Sequence, residues 1–347
     1  MNGFALKVHV LGAGSIGSLV AHELRQQFPN TLAATVLVRP ERRVEEPTHI
    51  RLKRLYDLSI PDSSVEVQTA KPSMKDDVIE NLIVTTKAFQ TQAAISPYID
   101  RLNSESNVLL IQNGMGMVSN LTDKFWKHSL NKPRIFEGIT THGVFMGPGG
   151  IVNHAARGTI QISSPSFDSA LNELPLVVQT LLETPQLNAE YLPYEDFVLR
   201  QMEKLVVNCC INPLTAIFDV ENGHLLSGEQ VPRIWKSIIA EAVDALLQEY
   251  PILATIPTAA AFLNHGRLLN SVISVCSLTA KNSSSMRQDM LALRTTEIES
   301  MNGYIAYLGR KHGRNTPTNK WASNLVRSKL DIDRGINNAA ADALLSQ

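Results

Sequence analysis

The alternation of apolar and polar positions along the first part of the chain predicts strands separated by helices. Val8–Leu11 is a short β-rich run, and a glycine-rich turn and a helical pattern over Ser18–Phe28 follow it. Further strands are predicted at 34–38, 82–85 and 108–111. Because strands that alternate with helices pair through crossover connections, this pattern predicts a parallel sheet with right-handed crossovers.

Two later apolar runs, at 138–145 and 158–163, flank a strong turn signal at 147–150. We expect both runs to be strands that extend the same sheet. From about Phe197 the strand patterns stop and long helical periodicities replace them. The predicted helices cover 197–212, 231–250 and 286–312.

This change of pattern predicts two domains, in agreement with a length of 347 residues and a prior of about 150 residues per domain. The predicted fold class is α/β: an N-terminal Rossmann dinucleotide-binding domain followed by an all-helical C-terminal domain. We expect the first domain to span residues 1–195 and the helical substrate and catalytic domain to span 196–335. Residues 336–347 are polar and rich in alanine, and we expect a flexible tail there.

Composition and charge exclude several classes of protein. The chain has 32 Lys and Arg against 33 Asp and Glu, a net charge of −1, so it lacks the basic excess that a nucleic-acid or anionic membrane surface requires. Its apolar runs stop well short of the ~20 residues of a membrane span. The three cysteines, Cys209, Cys210 and Cys276, form neither a disulfide framework nor a metal-ligand spacing.

These exclusions leave a small molecule as the expected partner and a reducing compartment as the expected location. With no secretory or Arg-rich transit segment expected, we predict a cytoplasmic protein and leave a mitochondrial location open.

The sequence Gly12-x-Gly14-x-x-Gly17 lies between the first predicted strand and the first predicted helix. Glycines at this spacing permit a tight turn, close approach of the backbone to a pyrophosphate and close packing of helix on strand. The helix N-terminus then offers free N–H groups and a positive dipole to the phosphates. The residues expected to contact a dinucleotide are Gly12, Ala13, Gly14, Ser15, Ile16 and Gly17.

The end of the second strand indicates which dinucleotide binds. An acidic residue there would accept hydrogen bonds from the ribose 2′-hydroxyl of NAD, but this chain places Arg39 at that point, with Arg42 and Arg43 close behind. Guanidinium groups match a 2′-phosphate in charge and in geometry. The sequence therefore favours NADP(H), with a solvated basic turn as the alternative.

A polar stripe runs along an otherwise apolar helix. Lys204, Asn208 and Asn212 are spaced i, i+4 and i+8, so a helix places them on one face, and nearly all of their neighbours are apolar. A lysine and two amides in such surroundings need partners or a ligand. A small anionic, oxygen-rich substrate suits them, although a purely structural stripe stays open. Pro213 is expected to break or bend this helix just after Asn212.

Three other places carry polar residues in positions where sites form. Asn113 follows the fourth strand and Lys87 follows the third, so both are expected at the carboxyl edge of the sheet. Residues 282–286 form a hydroxyl-rich cap at the start of the predicted helix over 286–312, and this helix carries Glu297. Taken alone, each of these features is more often a turn asparagine, a surface lysine or a helix cap than part of a site.

Together these segments resemble the ketopantoate reductases (2-dehydropantoate 2-reductases). The matching pieces follow the family order from about residue 6 to residue 330: Gly12–Gly17, Thr86–Ala88, Gln112–Gly116, Thr140–His142, Lys204–Ala216 and Asn282–Gly303. Extra length at 44–75 and 166–190 resembles the eukaryotic branch of the family. The resemblance implies an NADPH-dependent oxidoreductase that reduces 2-dehydropantoate to (R)-pantoate on the pathway to pantothenate and coenzyme A.

The resemblance also implies roles for individual residues. Lys204 corresponds to the general acid that protonates the substrate carbonyl, and Glu297 to the residue that orients this lysine and contacts the cofactor. Lys87, Asn113 and Gly143 correspond to positions near the cofactor. The residues that correspond to substrate contacts are Asn113, Lys204, Asn208, Asn212, Asn222 and Ser285.

Two other hypotheses stay open at this point. One is a reductase with the same two domains that acts on a different 2-oxo acid or on an imine. The other is a sensor that binds NADP(H) without turnover and that would have no need of Lys204 and Glu297. The sequence leaves the oligomeric state open, with a homodimer as one option.

Overall fold

The computed structural model of the protein describes residues 6–41, 48–72, 77–167 and 173–345. The chain divides into two compact units, and each is described here by itself. Unit 1 comprises residues 1–112 and 116–197, and unit 2 comprises residues 113–115 and 198–347.

Unit 1 is built on a single sheet. Within the described ranges its strands are β1 (Leu6–Leu11), β2 (Leu32–Leu37), β3 (Thr48–Arg54), β4 (Ser63–Ala70), β5 (Asn81–Val84), β6 (Asn107–Ile111), β7 (Arg134–Thr140), β8 (Gly143–Met146), β9 (Val152–Ala156), β10 (Ile160–Ser163) and β11 (Ala189–Tyr191). Their spatial order is β11-β10-β7-β6-β5-β1-β2-β4-β3-β9-β8.

The helices of the described ranges follow the same chain order. They are α1 (Ser15–Gln27), α2 (Ala88–Ile95), α3 (Met117–Leu121), α4 (Leu176–Leu182), α5 (Tyr194–Phe218), α6 (Val231–Glu249), α7 (Ala259–Phe262), α8 (His265–Leu278), α9 (Ser285–Leu291), α10 (Asn302–Lys311) and α11 (Pro317–Leu345). Among the described residues no strand follows β11, and no helix has the length and apolarity that crossing a membrane would need.

The six central strands, β4-β2-β1-β5-β6-β7, all run parallel. Their side chains alternate between two core clusters: Ile83 and Leu109 pack on one face, while Leu82 and Val108 pack on the other. A parallel sheet is buried on both faces, which explains why these strands read as continuous apolar runs. The predicted fold class, a Rossmann domain followed by a helical domain, is confirmed.

Antiparallel strands extend this parallel centre, and the predicted run at 158–163 contributes one of them, β10. β10 pairs antiparallel with β7, and β8 pairs antiparallel with β9 at the opposite edge. The single strand predicted at 138–145 is wrong, because the chain leaves the sheet at Thr141 and His142 and continues as a different strand, β8. β3 and β4 lie inside the extra length at 44–75 and were not predicted, although Val65 and Val67 of β4 alternate with the exposed Glu66.

The long helix predicted over 286–312 is also wrong. α9 ends at Leu291, Leu293 adopts a positive φ of 52°, and α10 begins only at Asn302. The guanidinium of Arg334 on α11 donates to the carbonyl of Leu293 at 3.1 and 2.9 Å, so a contact from a distant helix stabilises this interruption. Glu297 therefore lies in the connection between two helices and not on a helix.

Two further expectations concern the ends of helices. α5 continues through Pro213 to Phe218, so the helix does not break after Asn212. α11 continues to Leu345, and regular structure thus extends into the segment where we expected a flexible tail. Alanines at 339–341 favour this continuation, because alanine has the highest helix propensity.

Candidate functional site

The glycine loop of unit 1 joins β1 to α1, and each of its glycines meets a different requirement. Gly12 has a φ of +115°, and a Cβ there would lie 2.7 Å from the backbone nitrogen of Thr86. A Cβ on Gly17 would lie 2.0 Å from the carbonyl oxygen of Gly12, whereas a Cβ on Gly14 would meet nothing within 4 Å. The first and last glycines are thus required by packing, and Gly14 leaves open space in front of the loop.

This open space lies at the N-terminus of α1. The helix begins at Ser15, and its cap residue Gly14 has no side chain that could bond the first N–H groups. Such groups, together with the helix dipole, bind phosphate. A dinucleotide pyrophosphate therefore fits the loop, and Ala13 and Ile16, both partly buried, pack against the core beneath it.

Hydrogen bonds from Thr85 and Gln112 connect the loops at the ends of β1, β5 and β6. Neither residue is among the predicted site residues. Thr85 donates a hydrogen bond from Oγ1 to the carbonyl of Gly12 at 2.8 Å. Gln112, at the end of β6, donates from Nε2 to the carbonyl of Thr86 at 2.6 Å. Both stand directly at the carboxyl ends of parallel strands, and this position is the signal that could have identified them.

Arg39 and Lys87 extend from the same edge of the sheet. Arg39 follows β2 with its side chain 84% exposed, and its Nε lies 3.8 Å from a carboxylate oxygen of Glu41. Lys87 is partly buried and immediately precedes α2. Arg42 and Arg43, predicted to reinforce Arg39, lie outside the described residues. An extended guanidinium at this edge suits a phosphate at the 2′ position of a ribose bound along it.

Gly143 directly follows His142, which forms a hydrogen-bonded pair with His154. His142 donates from Nε2 to the carbonyl of Leu187 at 2.8 Å, so its Nδ1 is unprotonated and accepts from the N–H of Gly158 at 3.0 Å. Nδ1 also lies 2.9 Å from Nε2 of His154, which must therefore be a donor. Burial lowers the pKa of His142, and burial together with the neighbouring ring lowers the pKa of His154 to about 4. Both rings stay neutral at physiological pH.

In unit 2, the polar stripe predicted on one face of α5 is present. Lys204 and Asn208 are partly buried, and Asn212 is 7% exposed with its amide 3.6 Å from the sulfur of Met301. Burial lowers the pKa of Lys204 to about 8, and the negative charge of Glu297 partly offsets this fall. The lysine thus titrates close to physiological pH.

Glu297 brings two separately predicted residues together. It is 9% exposed, its charge acts on Lys204, and one of its carboxylate oxygens accepts from Nδ2 of Asn113 at 3.2 Å. Gly114 follows with a φ of +87°, and a Cβ there would lie 2.6 Å from the carbonyl of Ser300. Glycine is therefore needed for the segment of Asn113 to lie against the segment of Glu297.

Two predicted substrate contacts lie on other elements of unit 2. Asn222 is 7% exposed and donates to Oγ1 of Thr279 at 2.9 Å, while its Oδ1 has no hydrogen-bond partner in the described residues. Ser285 is exposed as the first residue of α9. The capping role expected of this serine cluster belongs to its neighbour Ser284, which accepts from the N–H of Arg287 at 3.0 Å.

The arrangement in unit 2 combines a titratable ammonium, a carboxylate that stabilises it and several amides. An ammonium with a pKa near 8 donates a proton to a developing alkoxide far more readily than an ordinary lysine would. The described residues contain no group of three His, Cys, Asp or Glu side chains placed to hold a metal ion.

Comparison with protein families gives two matches that together span most of the chain. Residues 8–166 match the family described as ketopantoate reductase PanE/ApbA, and residues 196–330 match the family of its C-terminal part.

Individual relatives agree with these matches. The chain is 36% identical to the probable 2-dehydropantoate 2-reductase of Schizosaccharomyces pombe over 340 residues, which cover 94% of this chain and 97% of the relative. It is 30% identical to the 2-dehydropantoate 2-reductase of Saccharomyces cerevisiae over 338 residues, with 87% of each chain covered. Both relatives are eukaryotic, as the extra length predicts.

Solved structures share the fold. A D-mandelate dehydrogenase in a complex with NADH and anilino(oxo)acetate superposes with a TM-score of 0.77 at 22% identity, over 94% of this chain and 98% of the other. A PanE/ApbA family ketopantoate reductase from Ralstonia eutropha superposes with a TM-score of 0.75, also at 22% identity, over 94% and 99% of the two chains.

Proposed function

Since the chain belongs to the ketopantoate reductase family, we propose that it reduces 2-dehydropantoate to (R)-pantoate with NADPH. The observation that carries this proposal is the cluster of Lys204, Glu297 and Asn113, in which a lysine of pKa about 8 lies under the influence of a carboxylate. The reaction places the protein on the route to pantothenate and coenzyme A.

Lys204 is the proton donor of the proposed reaction. NADPH, when bound, supplies the hydride that reduces the substrate ketone. As negative charge develops on the carbonyl oxygen, the ammonium of Lys204 stabilises it and then donates a proton from Nζ. Glu297 keeps the lysine protonated in the resting state, because its charge raises the pKa that burial lowers.

The polar side chains of unit 2 hold the substrate. The amides of Asn208 and Asn212 share a face of α5 with Lys204, where they suit the carboxylate and hydroxyl groups of a 2-oxo acid. The free Oδ1 of Asn222 is a buried acceptor that a substrate hydroxyl would satisfy. Asn113 and Ser285 complete the proposed set of contacts.

Unit 1 binds the cofactor in this proposal. The loop Gly12–Gly17 and the N-terminus of α1 hold the pyrophosphate, and the exposed guanidinium of Arg39 binds the 2′-phosphate that distinguishes NADPH from NADH. By correspondence with the family, we assign Lys87, Asn113, Gly143 and Glu297 to contacts with the remainder of the cofactor. Residues 1–195 then act as the NADP-binding domain and residues 196–335 as the substrate domain.

The oligomeric state and the location are also inferences. A structural neighbour is described as a dimeric ketopantoate reductase from Staphylococcus aureus. In this chain Trp321, Ile332 and Ile336 are exposed on one face of α11, which supports a homodimer that a mass measurement in solution would detect. The free, buried cysteines 209, 210 and 276 support a reducing compartment, and we infer the cytoplasm.

The substrate is tested by following NADPH oxidation with 2-dehydropantoate and with a panel of other 2-oxo acids near pH 7. We expect turnover with 2-dehydropantoate to exceed turnover with every other acid. Tight NADPH binding with faster turnover of another acid would move the assignment to a paralogous reductase. Binding of NADPH without turnover of any acid in the panel would favour the non-catalytic sensor or a reductase of imines.

A further inference from the structure

The proline inside α5 creates a bonding problem in a fully buried place. Pro213 has no N–H, so the carbonyl of Cys209, four residues earlier, loses its helical hydrogen bond. Cys209 is 0% exposed, and water is therefore excluded from this carbonyl. A buried carbonyl left without a donor would destabilise the helix between Asn208 and Asn212.

A side chain far along the sequence supplies the missing donor. Asn302, the first residue of α10 and 0% exposed, donates from Nδ2 to the carbonyl of Cys209 at 3.0 Å. The next carbonyl, that of Cys210, accepts from Nε1 of Trp235 on α6, also at 3.0 Å. The helix thus continues through the proline because two other helices provide hydrogen bonds at this point.

The orientation of the Asn302 amide is determined by its other neighbours. Its Nδ2 also donates to Oδ1 of Asn319 at 3.0 Å. Asn319 must present that oxygen, because its own Nδ2 donates to a carboxylate oxygen of Glu241 at 2.8 Å. The Oδ1 of Asn302 has no hydrogen-bond partner in the described residues, so donation is the role that the structure uses.

The short segment that ends at Asn302 also carries the residues that face the polar stripe. Glu297 opens it, a 3₁₀ turn over Ile298–Ser300 follows, and Met301 contacts the amide of Asn212 through its sulfur. The hydrogen bond from Asn302 to Cys209 fixes the end of this segment to α5 one residue away from Asn208.

We propose that Asn302 is a positioning residue of the proposed reductase. Its side-chain amide replaces the hydrogen bond that Pro213 withholds from Cys209. In this way Asn302 holds the segment of Glu297 against the helix of Lys204 and sets the separation of the two charges. The predicted effect on turnover rests on the proposed function. The predicted support of α5 at Pro213 rests on the hydrogen bond alone.

The test is a double-mutant cycle of Asn302→Ala and Pro213→Ala, because alanine at 213 restores a backbone N–H that Cys209 accepts. In the natural background Asn302→Ala is expected to lower kcat by about 10-fold to 100-fold, as misplaced reacting groups do. In the Pro213→Ala background the same change is expected to lower kcat by less than about threefold. Equal losses in both backgrounds would overturn the proposal.

The pH dependence supplies a reading that a packing defect would not change. If Glu297 withdraws from Lys204, the pKa of the lysine falls further, so the loss of turnover at high pH moves to lower pH in Asn302→Ala. An NMR titration of Lys204 checks the same shift without turnover. The control is Asn107→Ala, which removes a buried amide that bonds Asn81 in unit 1 and should leave both readings unchanged. An unshifted lysine in Asn302→Ala would contradict the proposal.

Melting temperatures separate this proposal from the proposed function. They are measured for the four proteins of the cycle: the natural protein, the two single variants and the double variant. If the natural enzyme fails to reduce 2-dehydropantoate, the function is wrong, while the melting temperatures still report on the hydrogen bond. If Asn302→Ala lowers the melting temperature less in the Pro213→Ala background than in the natural one, the result supports the proposed replacement of the hydrogen bond. Additive falls in melting temperature contradict it. If Asn302→Ala alone does not fold, a folded and active double variant supports the proposal and an unfolded one overturns it.

Discussion

Each unit of the molecule contains an interaction between a buried glutamate and a basic side chain, and the two differ in kind. In unit 1, Glu23 contacts the guanidinium of Arg54, and both side chains are 2% exposed. In unit 2, Glu297 acts on Lys204, a partly buried amine whose pKa is lowered to about 8. Arginine stays charged at any physiological pH, whereas a lysine whose pKa is lowered to about 8 gains or loses its proton near neutrality.

We propose that this difference separates a structural pair from a chemical one. Arg54 of β3 contacts Glu23 of α1 and also donates to Ser63 of β4 at 3.2 Å, so it links three elements of unit 1. Arg54 does not release its proton and therefore cannot act as an acid toward a substrate. Lys204 is held where its proton is easily released, which is the property required of a general acid.

Removing one partner from the structural pair should have the largest effect on the free energy of unfolding. Glu23→Ala leaves Arg54 buried without its carboxylate, and we expect a loss of about 3–5 kcal/mol in urea denaturation. Turnover per folded molecule should not change. The control is Glu66→Ala, an exposed glutamate on β4 that should cost less than about 0.5 kcal/mol. A loss below about 1 kcal/mol for Glu23→Ala would show that the pair is not structural.

Removing the chemical partner should instead affect turnover. We expect Lys204→Ala to lower kcat by about 10²-fold or more while changing the Kd of NADPH by less than about threefold. Lys204→Arg replaces the lysine by the basic residue found in the pair of unit 1. This variant should be as inactive as Lys204→Ala, because arginine keeps its charge but does not release its proton. The exposed Lys236 provides the control, Lys236→Ala. Unchanged turnover in Lys204→Ala would exclude its role as proton donor.

A smaller effect is expected from the exposed cation of unit 1. Arg39→Glu should weaken NADPH binding by about 10-fold relative to NADH, because a carboxylate repels the 2′-phosphate and accepts from a 2′-hydroxyl. The control is Arg134→Glu. Arg134 is exposed at the amino end of β7, whereas Arg39 follows the carboxyl end of β2. Equal changes in the Kd of both dinucleotides would remove Arg39 from the cofactor site.

The sequence predicted those parts of the molecule whose determinants are local. The turn at Gly12–Gly17, the parallel central strands and the stripe of Lys204 on α5 follow from spacing within a few residues. β3 and β4 were missed because their pairing places distant segments side by side, as when Leu52 of β3 lies beside Val152 of β9.

The errors in unit 2 have the same origin. The predicted helix over 286–312 is interrupted where Arg334 bonds the carbonyl of Leu293, 41 residues away. Of the break or bend predicted at Pro213, the break does not occur, and we attribute the continuity of α5 to the bond from Asn302 to Cys209 across 93 residues. Periodicity and propensity carry no information about such partners, so the sequence predicted the local elements better than the points at which helices break or continue.

The pH dependence of kcat/KM tests the central claim, that Lys204 is the proton donor, most directly. NADPH oxidation with 2-dehydropantoate would be followed from about pH 6 to about pH 10, which spans the ordinary range of lysine and its lowered value here. A general acid must be protonated, so we predict that kcat/KM is constant at low pH and falls tenfold per pH unit above about pH 8. A kcat/KM that stays constant to about pH 10 would contradict the account.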